Sequence, residues 1–258
     1  MSADRPDEKF AFAVVSRVLG VLVEEHDTGK LQAAVDGLLH YADGHIAALE
    51  ISSLGPPEEA RTMNLLNKSR HKRYVEGITS DWIISLPWNF HPAKFPQIDN
   101  ALRHCEKIGA RRLSRADGTN YAVDELLDLG VSGTATAESA TGAAVVWLVT
   151  ASIGGFTGTG SQELPRQVND ALLESKMQTK LKKLGASGYK EQHLFLNIRS
   201  QAFSFPVYEN LCFGGPLPSE PPQLPDGLTE LWLASGIKDG GVVRAIAGQE
   251  WRREHPFD

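Results

Sequence analysis

The sequence has 258 residues, of which 41% are hydrophobic and 22% are charged, and its formal net charge is −6. This composition excludes a largely disordered chain, and the length suits one large domain or two small ones. The two cysteines, Cys105 and Cys212, are far apart and form no CxxC pair, which excludes a disulfide framework and a cysteine metal site and indicates a reducing compartment.

The first predicted element is a buried helix over residues 8–26, because apolar residues occupy most of its sides. The acidic start of the chain differs from the basic start of a signal peptide. The apolar stretch within the helix is short and contains Ser16, Arg17 and Gly20, so it is not expected to span a bilayer. The sequence therefore predicts a cytoplasmic protein without membrane contacts.

A β-hairpin is predicted next, because two apolar runs flank Ala42-Asp43-Gly44. In a three-residue loop, Gly44 takes the left-handed position that closes the turn. Counting back from this turn sets Asp36 directly opposite Glu50, with Cβ atoms about 4.5–5.5 Å apart on one face of the sheet. Ser52 shares that face. A two-residue loop would put the two acids on opposite faces.

The rest of the chain alternates between helical and strand-like segments. Helices are predicted from Pro57 to about Tyr74, over 95–108 and over 161–184, and strands are predicted at 80–86, 143–153, 193–199, 228–235 and 242–251, with a short element around 203–211. The polar stretch near 128–139 is the expected boundary between an N-terminal domain, 1–128, and a C-terminal half, 129–258. The predicted fold class is α/β or α+β, with a mixed β-sheet flanked by helices.

The chemistry of the hairpin follows from its two acids. Carboxylates side by side on an apolar sheet repel each other and lose hydration, so they need a cation, a shared proton or strong donors. A divalent cation, Mg²⁺ or Mn²⁺, held by Asp36 and Glu50 is one solution, and it can activate water for phosphodiester hydrolysis. The alternative is that one acid lies in solvent at a strand end and the other is capped by Arg or Lys.

A helix, a strand with Asp, a strand with Glu-x-Lys, a helix and a strand follow one another in the core of the PD-(D/E)xK nuclease-like family. Over about 85 residues this sequence resembles that order, with Asp36 in AAVDGLL, Glu50 in AALEISS, the helix from Pro57 and the strand SDWIIS. The resemblance implies a restriction-endonuclease-like fold, and it implies Glu24 or Glu25 as an additional metal ligand.

The sequence departs from this family at the lysine. Ser52 stands where the family has its catalytic Lys, and no Pro-Asp pair precedes the hairpin. Some members carry the Lys on the following helix, and by that resemblance Lys68 or Lys72 is the candidate. The departure also leaves open a non-catalytic module that uses the same fold to bind nucleic acid or protein.

The densest basic run, Lys68 to Arg73, ends the predicted second helix. It offers Arg70, His71 and Arg73 as contacts to nucleic-acid phosphates, or it places cations at a helix C-terminus because the helix dipole favours them there. A second basic cluster, Lys176 to Lys183, is expected on the solvated face of its helix.

Two other segments have functional alternatives. The glycine-rich stretch 153–161 lacks the GK[ST] ending of a P-loop and the GxGxxG spacing, so a structural loop without a nucleotide is expected. A small-molecule enzyme with a pocket near Trp82, Trp88 and His91 is a further alternative, since aromatic rings can hold a planar ligand. A homodimer is compatible with the sequence, which does not determine the oligomeric state.

Overall fold

The computed structural model describes residues 6–27, 34–115, 121–138, 144–150, 160–220, 222–236 and 241–258. The helices are Pro6–Leu19 (α1), Pro57–Lys68 (α2), Phe95–Ile108 (α3), Tyr121–Asp128 (α4), Leu164–Leu173 (α5), Ser175–Ala186 (α6) and Phe205–Cys212 (α7). The strands are Leu22–Glu25 (β1), Gly37–His40 (β2), Ile46–Leu54 (β3), Lys72–Tyr74 (β4), Ser80–Leu86 (β5), Ser132–Glu138 (β6), Val145–Thr150 (β7), Gln192–Ile198 (β8), Glu230–Ala234 (β9), Val242–Ile246 (β10) and Arg252–Glu254 (β11). None of these helices is long and apolar enough to cross a membrane.

The chain forms two compact units. The main unit consists of Met1–Gly55 and Gly155–Asp258, and the inserted unit is Pro56–Gly154. This division differs from the boundary expected near residues 128–139. That polar stretch contains the last residue of α4 and all of β6, and both elements belong to the inserted unit.

The main unit is built on a seven-stranded mixed sheet in the order β1-β2-β3-β8-β9-β10-β11. The β3–β8 and β8–β9 pairs are parallel, and the other pairs are antiparallel. Residues of α1 pack on one face of this sheet, and residues of α5, α6 and α7 pack on the other. The predicted fold class, a mixed sheet flanked by helices, is confirmed.

The inserted unit has a four-stranded sheet in the order β4-β7-β5-β6. Its core contains residues of α3 and α4 packed with one face of the sheet, where Trp82, Ile84 and Leu148 are buried. The strand expected at 80–86 is β5, and it belongs to this four-stranded sheet. In the seven-stranded sheet of the main unit, the strand next to β3 is β8.

Several element boundaries differ from the predictions. The N-terminal helix ends at Leu19, and Gly20 takes a left-handed φ of 66° before β1 begins. The helix from Pro57 ends at Lys68, because residues 72–74 pair with β7 instead. The helix predicted over 161–184 is divided into α5 and α6 by Glu174, whose φ and ψ of −60° and 144° are extended. The predicted glycine-rich loop lies mostly outside the described residues.

Candidate active site

The turn of the β2–β3 hairpin has the predicted three-residue loop. The Tyr41 amide donates to the His45 carbonyl at 3.1 Å, and the Gly44 amide donates to the Tyr41 carbonyl at 3.0 Å. Gly44 has a φ of 86°, in the left-handed region that a glycine occupies without steric cost. The strand register pairs Gly37 with Leu49, so Asp36 and Glu50 are the next opposed positions. The predicted register is confirmed.

Asp36 and Glu50 are both buried, with 5% and 0% of their surfaces exposed. One oxygen of Asp36 accepts a hydrogen bond from the Ile51 amide at 2.7 Å, which fixes the carboxylate against β3. Two lysines of α6 contact both acids, so the two carboxylates lie on the same side of the sheet. This group of Asp36, Glu50, Lys180 and Lys183 is called the charge quartet below.

Lys183 lies between the two acids. Its Nζ atom is 3.4 Å from Oδ1 of Asp36 and 3.0 Å from each carboxylate oxygen of Glu50. Lys180 donates a short hydrogen bond to Oε1 of Glu50, and its Nζ is 3.8 Å from Oδ2 of Asp36. The side chains of Lys183 and Lys180 are 17% and 27% exposed, so both are partly accessible to solvent.

Helix α6 brings the lysines to the sheet because its buried residues follow the helical period. Met177 and Leu184 are fully buried in the core. Lys180 lies three residues after Met177 and four before Leu184, and these spacings keep all three on one side of the helix. Long lysine stems can cover apolar surface while their ammonium groups reach a polar site. The predicted solvated role of this basic cluster is therefore wrong for Lys180 and Lys183.

The ionised form of Glu50 is costly even with two lysines beside it. Burial raises the pKa of the Glu50 carboxyl, and the charge of Asp36 raises it further, while the two lysines lower it. Burial lowers the pKa of the Lys183 ammonium, but its hydrogen bond to Glu50 and the charge of Asp36 more than offset this, so that pKa is raised. Desolvation of Glu50 is thus only partly compensated by the lysines.

Two buried oxygens on this face have no hydrogen-bond partner among the described residues. They are Oε2 of Glu50, whose contact with Lys183 lacks hydrogen-bond geometry, and Oγ of Ser52. An unsatisfied buried polar atom costs about 1–3 kcal/mol and is uncommon in folded proteins. The Lys183 ammonium lies 3.0 Å from Oε2 of Glu50, so this oxygen has an ionic contact, whereas Oγ of Ser52 can still bond a water molecule or another polar group.

The other residues proposed for this site are not part of the charge quartet. Lys68 and Lys72 belong to the inserted unit, whereas the quartet belongs to the main unit. Glu24 and Glu25 are exposed on β1 instead of lying on the first helix, and Glu24 bonds His40 at 2.8 Å.

The basic run of the inserted unit is divided between internal and exposed positions. Arg73 makes two hydrogen bonds to Asp99, at 3.0 and 2.6 Å, and its guanidinium lies over the Phe95 ring. His71 bonds the Leu148 carbonyl at 3.2 Å. Arg70 is exposed. Internal contacts thus occupy two of the three residues proposed for phosphate binding.

The proposed aromatic pocket is not supported by the position of Trp82. This side chain is fully buried, and its Nε1 donates to Glu106 at 3.2 Å, so neither ring face is open to a ligand. His91 is exposed, and its Nδ1 caps a short helical turn by accepting from the Ala93 amide.

A second cluster of charged residues lies on the opposite face of the main sheet, where Glu191, His193 and Glu230 are close enough to share a metal ion. These three side chains already make hydrogen bonds within the protein. The Trp232 Nε1–H donates to Nδ1 of His193 at 3.2 Å, which leaves the proton on Nε2, 2.7 Å from Glu191. Glu230 accepts two hydrogen bonds from Arg244, at 2.8 and 2.7 Å. Since His193 has no free lone pair, we assign this cluster to a structural network.

Comparison with family models, curated proteins and solved structures found no match. The function is therefore proposed from the geometry of the site. Sequence reasoning identified Asp36 and Glu50 but missed Lys180 and Lys183. The available signal was the spacing of Lys176, Lys180 and Lys183, which places three cations on one stripe of their helix.

Proposed function

We propose that the protein is a divalent-metal-dependent, nuclease-like hydrolase that acts on phosphodiesters, with its active site at Asp36 and Glu50. One observation carries this proposal: two buried carboxylates face each other across adjacent strands, and two lysines from a neighbouring helix lie against them. Carboxylates that can hold a divalent ion, beside an ammonium group that can stabilise developing negative charge, suit metal-assisted phosphodiester hydrolysis.

The donor set suits a hard divalent cation. Asp36 and Glu50 supply carboxylate oxygens, the ligand type that Mg²⁺ and Mn²⁺ prefer. The carboxylate oxygens that contact Lys180 are Oε1 of Glu50 and Oδ2 of Asp36, so displacement of this lysine opens them to an ion. When bound there, such an ion supplies Lewis-acid stabilisation and lowers the pKa of a coordinated water.

The lysines have a separate role in this proposal. Lys183 is the less exposed of the two and contacts both acids, so it is placed to hold their orientation and to stabilise negative charge that develops on a phosphate oxygen. Lys180 is more exposed, and its ammonium is the one that can move aside for a cation.

The element order of the main unit supports the resemblance to the PD-(D/E)xK nuclease-like core. Helix α1, β2 beside Asp36, β3 with Glu50, the α5–α6 pair and β8 follow one another, with β1 as an additional strand and the inserted unit between β3 and α5. In this arrangement α6 is the helix of the core that follows Glu50. Lys180 or Lys183 then takes the role that the resemblance gives to a lysine relocated from position 52.

A second candidate function is favoured by the same contacts. In the charge quartet, two ammonium groups balance the charge of two carboxylates without any metal. A quartet that is neutral by itself suits a non-catalytic module that uses the fold to bind nucleic acid or protein. The two functions differ in what added metal does to the folded protein.

Metal titration separates the two candidates. We expect Mn²⁺ to raise the melting temperature of the wild type, because a ligand that binds only the folded state stabilises it by about 2.7 kcal/mol at 100 times its Kd. Glu50→Gln should remove this gain, and Glu250→Gln, which changes an exposed acid of the same unit, should retain it.

Cleavage of plasmid DNA and of RNA is then measured with the same three proteins. Hydrolysis that depends on metal and is lost in Glu50→Gln supports the nuclease-like function. Metal-independent melting of all three proteins would leave the non-catalytic module as the function of this fold.

A further inference from the structure

One face of the inserted unit's sheet carries its more exposed side chains. Along β5, β6 and β7, buried residues alternate with more exposed ones, as expected for a sheet with one face in the core. The side chains that point away from the core are Lys72, Tyr74, Asp81, Ile83, Ser85, Ser132, Thr134, Thr136, Val145, Trp147 and Val149.

Large apolar side chains are concentrated on this outward side. Tyr74, Trp147 and Ile83 are 70%, 40% and 42% exposed. Trp147 is paired with Lys72 on β4 and with Ile83 on β5, so Lys72, Trp147 and Ile83 form one row across three strands. Tyr74 lies beside this row, two residues after Lys72 on β4. We call Tyr74, Trp147 and Ile83 the aromatic face. A contiguous apolar patch of this kind on a folded protein commonly marks a binding site.

The two aromatic rings are spaced for adjacent ligands. Tyr74 pairs with Val145 and Lys72 pairs with Trp147, so Tyr74 and Trp147 are diagonal neighbours on antiparallel strands. Diagonal neighbours are about 7–8 Å apart and lie within reach of aromatic side chains. Two planar groups that follow one another along a chain can therefore each meet one ring.

Positive charge borders the aromatic face. Strand β4 is at the edge of its sheet, and the segment that leads into it exposes Lys68, Arg70 and Lys72. We call these three residues the basic edge. The Lys72 Nζ lies 4.3 Å from the centroid of the Trp147 ring, so a cation already meets the aromatic face. Three exposed cations here contrast with the net charge of −6 of the whole chain.

We propose that the aromatic face and the basic edge bind single-stranded nucleic acid. Exposed aromatic rings beside a basic groove are the combination that such proteins use, with bases stacked on the rings and phosphates contacted by the cations. One base stacks on Trp147 and a neighbouring base on Tyr74, while Lys72 moves from the Trp147 ring to a phosphate. A duplex does not fit this surface, because its base faces are stacked inside the helix.

This inference does not depend on the proposed active site. The aromatic face belongs to the inserted unit, whereas Asp36 and Glu50 belong to the main unit. Binding is therefore expected in EDTA and in the Glu50→Gln variant, so its failure and the failure of the hydrolase proposal are distinguishable.

Tryptophan fluorescence tests the proposal directly. An oligothymidylate of about 12 nucleotides is titrated into the full chain at low salt, in EDTA. We expect saturable quenching, because a base stacked on Trp147 changes the emission of that ring. Trp147→Ala should abolish the quenching and weaken binding by about tenfold, and Tyr74→Ala should weaken binding to a similar extent with the quenching retained. Phe213→Ala removes a 70% exposed ring of the main unit and should change nothing.

The salt dependence tests the basic edge. If Lys72 contacts one phosphate, Lys72→Met should reduce the slope of log affinity against log salt by about 0.7. Lys107→Met removes an exposed cation of α3 in the same unit and should leave the slope unchanged. Equal affinities of the wild type, Trp147→Ala and Tyr74→Ala would overturn the proposal. So would a dimer in sedimentation experiments that dissociates in Trp147→Ala, because the face would then belong to a second copy of the chain.

Discussion

Replacing Lys183 with Met should destabilise the main unit strongly at neutral pH and weakly at acidic pH. The substitution keeps the length and the apolar stem of the side chain but leaves Asp36 and Glu50 with Lys180 alone. Removing one partner of a buried ion pair costs about 3–5 kcal/mol, because it leaves a buried charge uncompensated. Since Lys183 is 17% exposed and Lys180 remains, we expect a smaller loss than this, about 2–3 kcal/mol at pH 7.

The sign of the pH dependence follows from Glu50. Burial and the charge of Asp36 already raise the pKa of Glu50 above its unfolded value, and loss of Lys183 raises it further. The native state of the variant therefore binds a proton more tightly than the unfolded state does. By linkage, the deficit relative to the wild type should shrink as the pH falls from 7 towards about 5.

Urea denaturation of the full chain at pH 7 and pH 5, followed by circular dichroism, measures both effects. In a thermal unfolding experiment, the expected loss of stability at pH 7 corresponds to a fall in melting temperature of about 4–12 °C. Lys182→Met, which removes the neighbouring exposed cation of α6, is the matched control and should change stability by less than about 0.5 kcal/mol. Equal stabilities of the two variants at pH 7, or a deficit that grows at pH 5, would refute the coupling of Lys183 to the buried acids.

Four further outcomes can be measured in the same way. Glu50→Gln should stay within about 1 kcal/mol of the metal-free wild type at pH 7, because it removes an acid whose ionised form is costly and leaves two lysines whose side chains are partly exposed; a loss above 3 kcal/mol would contradict this. Glu191→Gln should lower stability at pH 7 and flatten its acid dependence, because the hydrogen bond from His193, with further bonds, lowers the pKa of Glu191 to about 2, so its contribution is lost as the pH falls from about 4.5 towards 2; an unchanged acid profile would exclude this. Gly185→Ala should stabilise α6 by up to about 1 kcal/mol, since a methyl group there meets no atom within 4 Å, and a destabilised protein would show that the helix needs the glycine. Arg73→Met should cost about 1.5–3 kcal/mol through its two bonds to Asp99, and unchanged urea denaturation would show that this pair contributes little.

The sequence by itself determined the local features of the main site. Gly44 requires a left-handed turn, and the two-residue period of a strand then sets the side of the sheet on which Asp36 and Glu50 lie. The same pattern reasoning identified α3, β7 and β8, because their apolar periods are set by residues close in the chain. The resemblance to the PD-(D/E)xK nuclease-like core also began from this hairpin and remains a proposal.

Only the tertiary structure decided which cations meet these acids. The resemblance implies Lys68 or Lys72, on the helix that follows the hairpin, but the chain folds a separate unit between β3 and α5. Lys183 is 133 residues from Glu50 and still bonds it at 3.0 Å. Parallel pairing of β3 with β8 requires a crossover connection, and the helices of that crossover cover the face that carries the acids. Contacts across a crossover depend on packing between distant segments, which no local pattern of residues encodes.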